Sequence, residues 1–136
     1  NGDIFYTNLS KKFRTHYSPN MNGKYPKNLE AEIEFGAHAF ISPSQDYLIV
    51  DSQNREDKNK KADLYVYFKQ KDGTWTKPIN LGDTVNSKFD ETVATVTPDG
   101  KYLIFSRRTE GNALNLYWVS TAVISKLKKA YFKKEQ

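Results

Sequence analysis

The chain has no cysteine, which excludes a disulfide framework and any thiolate metal site. No stretch approaches the ~18 consecutive apolar residues of a membrane-spanning helix. A glycine-rich phosphate loop, a nucleophile elbow around serine and the spacing of a metal-ligand set are all missing too. No cofactor is therefore expected. There is no recognisable export signal, but the chain opens at Asn1 rather than Met, so that absence says nothing of location. Hydrophobic residues make up only 38%, below the usual share for a globular chain.

Aromatics are plentiful by contrast, at 14%, with nine Tyr and eight Phe. Such side chains pack well on a pleated surface, and disordered segments are poor in them. The net charge of +5 is uneven: Lys126, Lys128, Lys129, Lys133 and Lys134 stand against Glu135 in residues 122–136, leaving the rest of the chain near neutral. A nucleic-acid footprint would place its charge on a face of the fold beside stacking aromatics, so no nucleic-acid partner is expected.

The chain repeats itself. Ala39–Val50 and Ala94–Phe105 both read as strand, Ser/Thr-Pro turn, strand, at a constant offset of 55. Pro43 and Pro98 supply a fixed φ for the turn, and Asp99-Gly100 tolerates positive φ. A further strand follows each copy, Asp63–Tyr67 and Asn115–Val119, and Asp3–Tyr6 is read as an earlier instance. A fourth is Trp75–Leu81 after the turn Lys71–Thr74, with a weaker partner at Tyr25–Leu29. The expected order is three-four, one-two-three-four, one-two-three, nine short strands in all. About 50 residues per four strands is the signature of a propeller blade, a small sheet that needs neighbours on both faces. The expected divisions are 1–35, the end of one blade; 36–81, a full blade; 82–121, a last blade without its outer strand; and 122–136, a helical tail. In that tail Val123, Ile124, Leu127 and Tyr131 recur at helical spacing, opposite a lysine-rich side. This stripe is read as a rim cap, with a membrane-surface helix as the alternative.

The stretch Thr97–Arg107 resembles the WD40-like propeller repeat found in the TolB-like family, with its Ser/Thr-Pro-Asp-Gly-Lys core, apolar strand, and Ser with a basic residue. Asn115–Val119 is similar to that family's Asp-Ile-Tyr strand. Asp63–Phe68, Asp72–Gly82, Val85–Ser87, Asp90 and Glu91 resemble the segment between repeats in an exported bacterial subfamily. The resemblance covers about Gly36 to Leu127 and is weaker from Gly2 to Phe35. It implies the C-terminal part of a longer, six-bladed propeller in the periplasm or beyond. A protein or glycan partner is expected, and because so few blades cannot close a ring, the remaining blades are expected from the parent chain or from other copies. Ser44-Gln45-Asp46 departs from the Asp-Gly-Lys of the motif, Ala94 replaces a usual Pro, and Gly36 stands where the second copy has Glu91.

The candidate ligand site is a cluster of His38, Asp51, Glu91, Arg107 and Arg108 at one channel mouth. His38 opens strand one, the innermost strand. A catalytic histidine needs a nucleophile or carboxylate partner, and a hydrogen-bonded structural role is the competing reading. His16, in the irregular segment Lys11–Tyr25, is expected to be exposed. Asp90 and Glu91 point to opposite faces of a strand, whereas a glycosidase needs two carboxyls facing each other; Glu91 is read as pairing with an arginine such as Arg107. Asp72-Gly73-Thr74-Trp75 lacks the intervening residues of a sialidase Asp-box and reads as a tight turn, with Trp75 between blades. Asn54–Lys61 reads as a solvated loop of the kind that makes partner contacts. A non-catalytic binding or scaffold module is expected. The alternatives are a glycan-acting (sialidase-like) propeller, the propeller of a peptidase, and a lectin; the lectin would expose Trp75 or Trp118.

Overall fold

The computed structural model describes residues 2–11, 14–27, 31–33, 37–53, 59 and 62–133. Gly36, the loop 54–61 apart from Asn59, Asn28, Leu29 and the last three residues lie outside the described residues. The chain is all-β with one short C-terminal helix. The strands are β1 (Ile4–Asn8), β2 (Arg14–Ser18), β3 (Ala31–Ile33), β4 (Ala39–Ile41), β5 (Tyr47–Ser52), β6 (Asp63–Phe68), β7 (Ile79–Asn80), β8 (Asp90–Val96), β9 (Tyr102–Arg108) and β10 (Leu114–Ser120), and the helix is α1 (Ala122–Lys133). They form three antiparallel sheets: β1-β2-β3, β4-β5-β6-β7 and β8-β9-β10. No helix of the described residues is long and apolar enough to cross a membrane.

The sequence repeat is a repeat of register. Phe40 pairs with Ile49 and Ile41 with Leu48; Thr95 pairs with Ile104 and Val96 with Leu103, at the same offset. The intervening turns carry equivalent hydrogen bonds. Ser42 Oγ accepts the Tyr47 N–H at 3.2 Å, and Thr97 Oγ1 accepts that of Tyr102 at 3.1 Å. Each turn closes with an N–H donating back to the Ser42 or Thr97 carbonyl at 2.8 Å, from Gln45 and Gly100. Both residues are left-handed, Gly100 at φ 73 and Gln45 at φ 56. The first turn thus keeps its shape without glycine, at a steric cost of about 1 kcal/mol.

The first sheet corrects the expected strand order. No strand covers Tyr25–Lys27; instead β2 runs through the segment read as irregular, and β3 pairs with it. Its pairing rows match those of the middle sheet. Phe5, Tyr17 and Ala31 form one row, as Ile49, Val66 and Ile79 do; Tyr6, His16 and Glu32 form the next, as Val50, Tyr65 and Asn80 do. Three strands thus precede β4 where two were expected, and counted back from β4 they take the second, third and fourth positions of the repeat. The pattern was hard to read because Ile4–Asn8 resembles both Leu48–Ser52 and Leu64–Phe68 in its aromatic and branched residues, and only pairing separates them.

The middle sheet is buried on both faces, so the alternation of its side chains decides which neighbour each one meets. Ile49, Leu64, Val66 and Phe68 pack with Leu103, Phe105, Leu81, Val85 and Ile124 on the side of the last sheet. Leu48, Val50, Tyr65 and Tyr67 pack with Tyr17 and Trp75 on the side of the first. All six residues of β6 are buried. Asn86 extends the edge of that strand where β7 stops: its Oδ1 accepts the Leu64 N–H and its Nδ2 donates to the Leu64 carbonyl, both at 2.9 Å. α1 buries Ile124 and packs Val123, Leu127 and Phe132 on the core between the middle and last sheets. Lys128 anchors it, donating at 2.8 Å to Asp46. Asp46 holds the place that Lys101 occupies in the second copy, so this departure from the repeat motif supplies the anchor of the helix.

Candidate functional site

His38 precedes β4 and lies across from the end of β5. Its backbone N–H donates to Asp51 Oδ1 at 3.0 Å, and its ring Nδ1 lies 2.6 Å from Asp51 Oδ2. A carboxylate only accepts, so Nδ1 carries the proton and Nε2 is left as the outward nitrogen. The histidine side chain is 57% exposed while that of Asp51 is 3% exposed. Asp51 also accepts the Val93 N–H, at 3.0 Å, from the neighbouring sheet. Val93 sits in the bulge that shifts the register of β8, at φ 53. A branched side chain is strained in that region, and local strain of this kind gathers at functional sites. One buried carboxylate thus clasps a histidine and a strained strand of the next sheet.

Glu91 and Arg107 form a second pair, which faces inward. Arg107 Nε donates to Glu91 Oε1 at 2.7 Å and Nη2 donates to the Val85 carbonyl at 2.8 Å. Ser87 Oγ donates to the same Glu91 oxygen at 2.6 Å. The Arg107 guanidinium lies 4.3 Å from the centre of the Tyr117 ring. Glu91 is fully buried and Arg107 17% exposed. This is the arginine pairing that the sequence suggested, and it clamps the segment before β8 to β9.

Arg108 follows Arg107 and, by the alternation of a strand, leaves the opposite face of β9. It lines an open polar cavity of about 370 Å³ with Lys88, Phe89, Asp90, Glu110 and Asn112. The five expected residues therefore divide into three places: His38 with Asp51, Glu91 with Arg107, and Arg108 in its own cavity. Phe89 and Asn112 had not been singled out; the Glu110-Gly111-Asn112 turn was the available signal, since Gly111 and Asn112 both take positive φ.

His16 corrects another expectation. It is buried, on β2, with its ring stacked on Tyr6 at 5.0 Å. Asp72–Trp75 is a tight turn: Asp72 Oδ1 accepts the Thr74 N–H and hydroxyl at 2.9 and 2.7 Å, and those bonds hold the Asp72 carboxyl below its usual range. Trp75 packs edge-on to Phe5 of the neighbouring sheet. Trp118 is 67% exposed.

No known family profile matches the chain, and no solved structure matches it. Among curated proteins, it is 28% identical over 105 residues to isoleucine–tRNA ligases of Bacillus cereus strain B4264 and Bacillus anthracis strain A0248, a match covering 65% of this chain. The match spans about a tenth of those relatives' length, 11%. A likeness of this extent establishes no family.

Proposed function

We propose that the chain is a segment of a TolB-like β-propeller, acting as a non-catalytic binding or scaffold module of the bacterial cell envelope. One observation supports it above the others: three successive sheets share their pairing rows, and each stacks on the next with the same face forward. That is how blades adjoin one another around a channel. The resemblance of Thr97–Arg107 to the WD40-like repeat supports the family and the exported location. Binding rather than catalysis is favoured because Glu91 is committed to Arg107 and Ser87, and Asp90 leaves the opposite face of β8 from Glu91. His38 and Arg108 are the charged or titratable candidates with side chains open to a partner. A lectin-type reading draws on one specific feature, the exposure of Trp118.

The test combines turnover and binding. The chain is incubated with aryl glycosides and aryl esters, then titrated by NMR with defined acidic and neutral oligosaccharides and acidic peptides. The expected result is no hydrolysis above the uncatalysed rate, with binding shifts at His38 or Arg108 that His38→Ala or Arg108→Ala removes. Turnover lost in Glu91→Gln while the variant stays folded would sink the reading.

A further inference from the structure

We propose that the end of the sheets carrying α1 is a basic docking surface for the headgroup plane of an anionic phospholipid bilayer, which it meets without inserting apolar side chains. Antiparallel pairing brings the β4–β5 and β6–β7 turns to one end of the middle sheet. The helix ties the β8–β9 turn to that end: Thr121 Oγ1 donates to the Gly100 carbonyl at 2.7 Å, and Lys128 reaches Asp46. On this end Lys71, Lys101, Lys126, Lys129 and Lys133 are exposed. Lys126, Lys129 and Lys133 stand at i, i+3 and i+7, one stripe of the helix, about 10 Å long. The opposite side of α1 packs Val123, Ile124, Leu127 and Phe132 on the core. Blades adjoin through the faces of their sheets, so the stacking of further blades covers faces and leaves this end outward.

The carboxylates of this end are committed elsewhere. Asp46 holds Lys128, Asp72 holds the Thr74 N–H and hydroxyl, and Asp99 holds the Thr97 hydroxyl and the Lys101 N–H. Among the described residues no carboxylate pairs with Lys71, Lys126, Lys129 or Lys133. At the opposite end the signs are mixed: Lys88 meets Glu110 at 3.3 Å, and Arg108 shares its cavity with Asp90. The charge is therefore polarised along the sheets, with the α1 end positive. Three features select a bilayer among anionic partners. The cations are lysines, point charges on flexible stems, whereas recognition of a single carboxylate or phosphate favours the rigid fork of arginine. They spread over a helix and two turns, a broad area matched to a continuous plane of charge. The apolar side of α1 is occupied by the core, so the attraction is to headgroup charge alone, unlike that of a helix that sinks its apolar face into the acyl boundary. Each lysine near such a surface strengthens binding about fivefold.

Co-sedimentation with vesicles of phosphatidylglycerol and phosphatidylcholine in equal parts tests the surface, with phosphatidylcholine alone as the neutral control. Binding is expected to the first and not to the second. It should vanish in ~1 M salt, where charges are felt over only about 3 Å. Lys126→Gln, Lys129→Gln and Lys133→Gln together should weaken it about a hundredfold; glutamine keeps the helical preference of lysine. Should that variant lose helix in circular dichroism, Lys71→Gln with Lys101→Gln leaves α1 untouched and should cost about thirtyfold. Because the chain is free of cysteine, a fluorophore can be placed on Ala130→Cys of α1 or on Asp83→Cys, which follows β7 at the opposite end; both positions are exposed. Headgroup-labelled lipid is expected to quench the first and spare the second. No binding to anionic vesicles at low salt overturns the inference, as does binding that neither lysine set weakens, or equal quenching at the two positions. Tighter binding to alginate than to vesicles at matched charge assigns the surface to an acidic glycan and overturns it as well.

Discussion

Removing Arg107 should nearly unfold the protein, whereas removing Arg107 and Glu91 together should not. Glu91 is fully buried, and Arg107 supplies its cation at 2.7 Å while also holding the Val85 carbonyl. Arg107→Leu leaves a carboxylate in the core that keeps the Ser87 hydroxyl but loses its cation. Breaking a buried pair from one side costs about 3–5 kcal/mol. The carbonyl left by Nη2 adds about 1 kcal/mol. Against the 5–15 kcal/mol total typical of a domain, that is a large share of the stability. Glu91→Gln keeps an acceptor near Arg107, whose guanidinium still reaches water, so a loss of about 1–2 kcal/mol is expected. In the double variant Glu91→Leu with Arg107→Met, both desolvation penalties vanish, and stability should return to within about 1 kcal/mol of the parent. Urea denaturation, with the slope checked for constancy across variants, measures the stability of all four proteins. If Arg107→Leu proves as stable as the parent, the clamp is not structural, and the pair returns to consideration as a ligand site.

Three further outcomes follow from the same geometry. Gln45→Gly should stabilise by up to about 1 kcal/mol in thermal denaturation, since φ 56 is costly for Gln and free for Gly; destabilisation would refute a left-handed Gln45. Partial burial works to raise the Asp46 carboxyl, but hydrogen bonds from Lys128, Ser44 and Ser42 outweigh it and hold it at about 2, against a usual 3.8. A depressed carboxylate contributes stability that is full above about pH 4 and fades as pH falls toward about 2. With both partners more than a third exposed, the contribution is under about 1 kcal/mol. The stability gap between the parent and Lys128→Ala should therefore close on acidification, and a gap unchanged at pH 2 would count against the anchor. Asn86→Ala orphans the Leu64 N–H, while the Leu64 carbonyl keeps the Leu81 N–H at 3.1 Å, and should cost about 1–3 kcal/mol, read as faster hydrogen exchange at Leu64.

Much of the fold was legible because it is written in local, periodic terms. The Ser/Thr-Pro turn, the alternating apolar strands and the helical stripe after Thr121 are each set by backbone preferences and side-chain period, which need no knowledge of the partner. The offset that links Ala39–Val50 to Ala94–Phe105 is likewise visible along the chain, and so is the net charge of its tail. The candidate site was legible in part: the residues were found, but the sequence grouped into one cluster what the structure holds in three places. Arg107 and Arg108 are neighbours in the chain and on opposite faces of a strand. Whether Glu91 meets Arg107 depends on a bulge at Val93, and the bulge is stabilised by Asp51, 42 residues away.

Composition and periodicity alone determine that this chain makes short antiparallel strands with apolar faces on both sides. Tertiary structure alone decided that β1 takes the second strand position, that His16 is buried, and that Asp46 anchors a helix instead of finishing a turn. Strand-forming preference belongs to each residue and its neighbours. Register and facing are set by contacts between segments distant in sequence, whose energies exist only once the sheets have met.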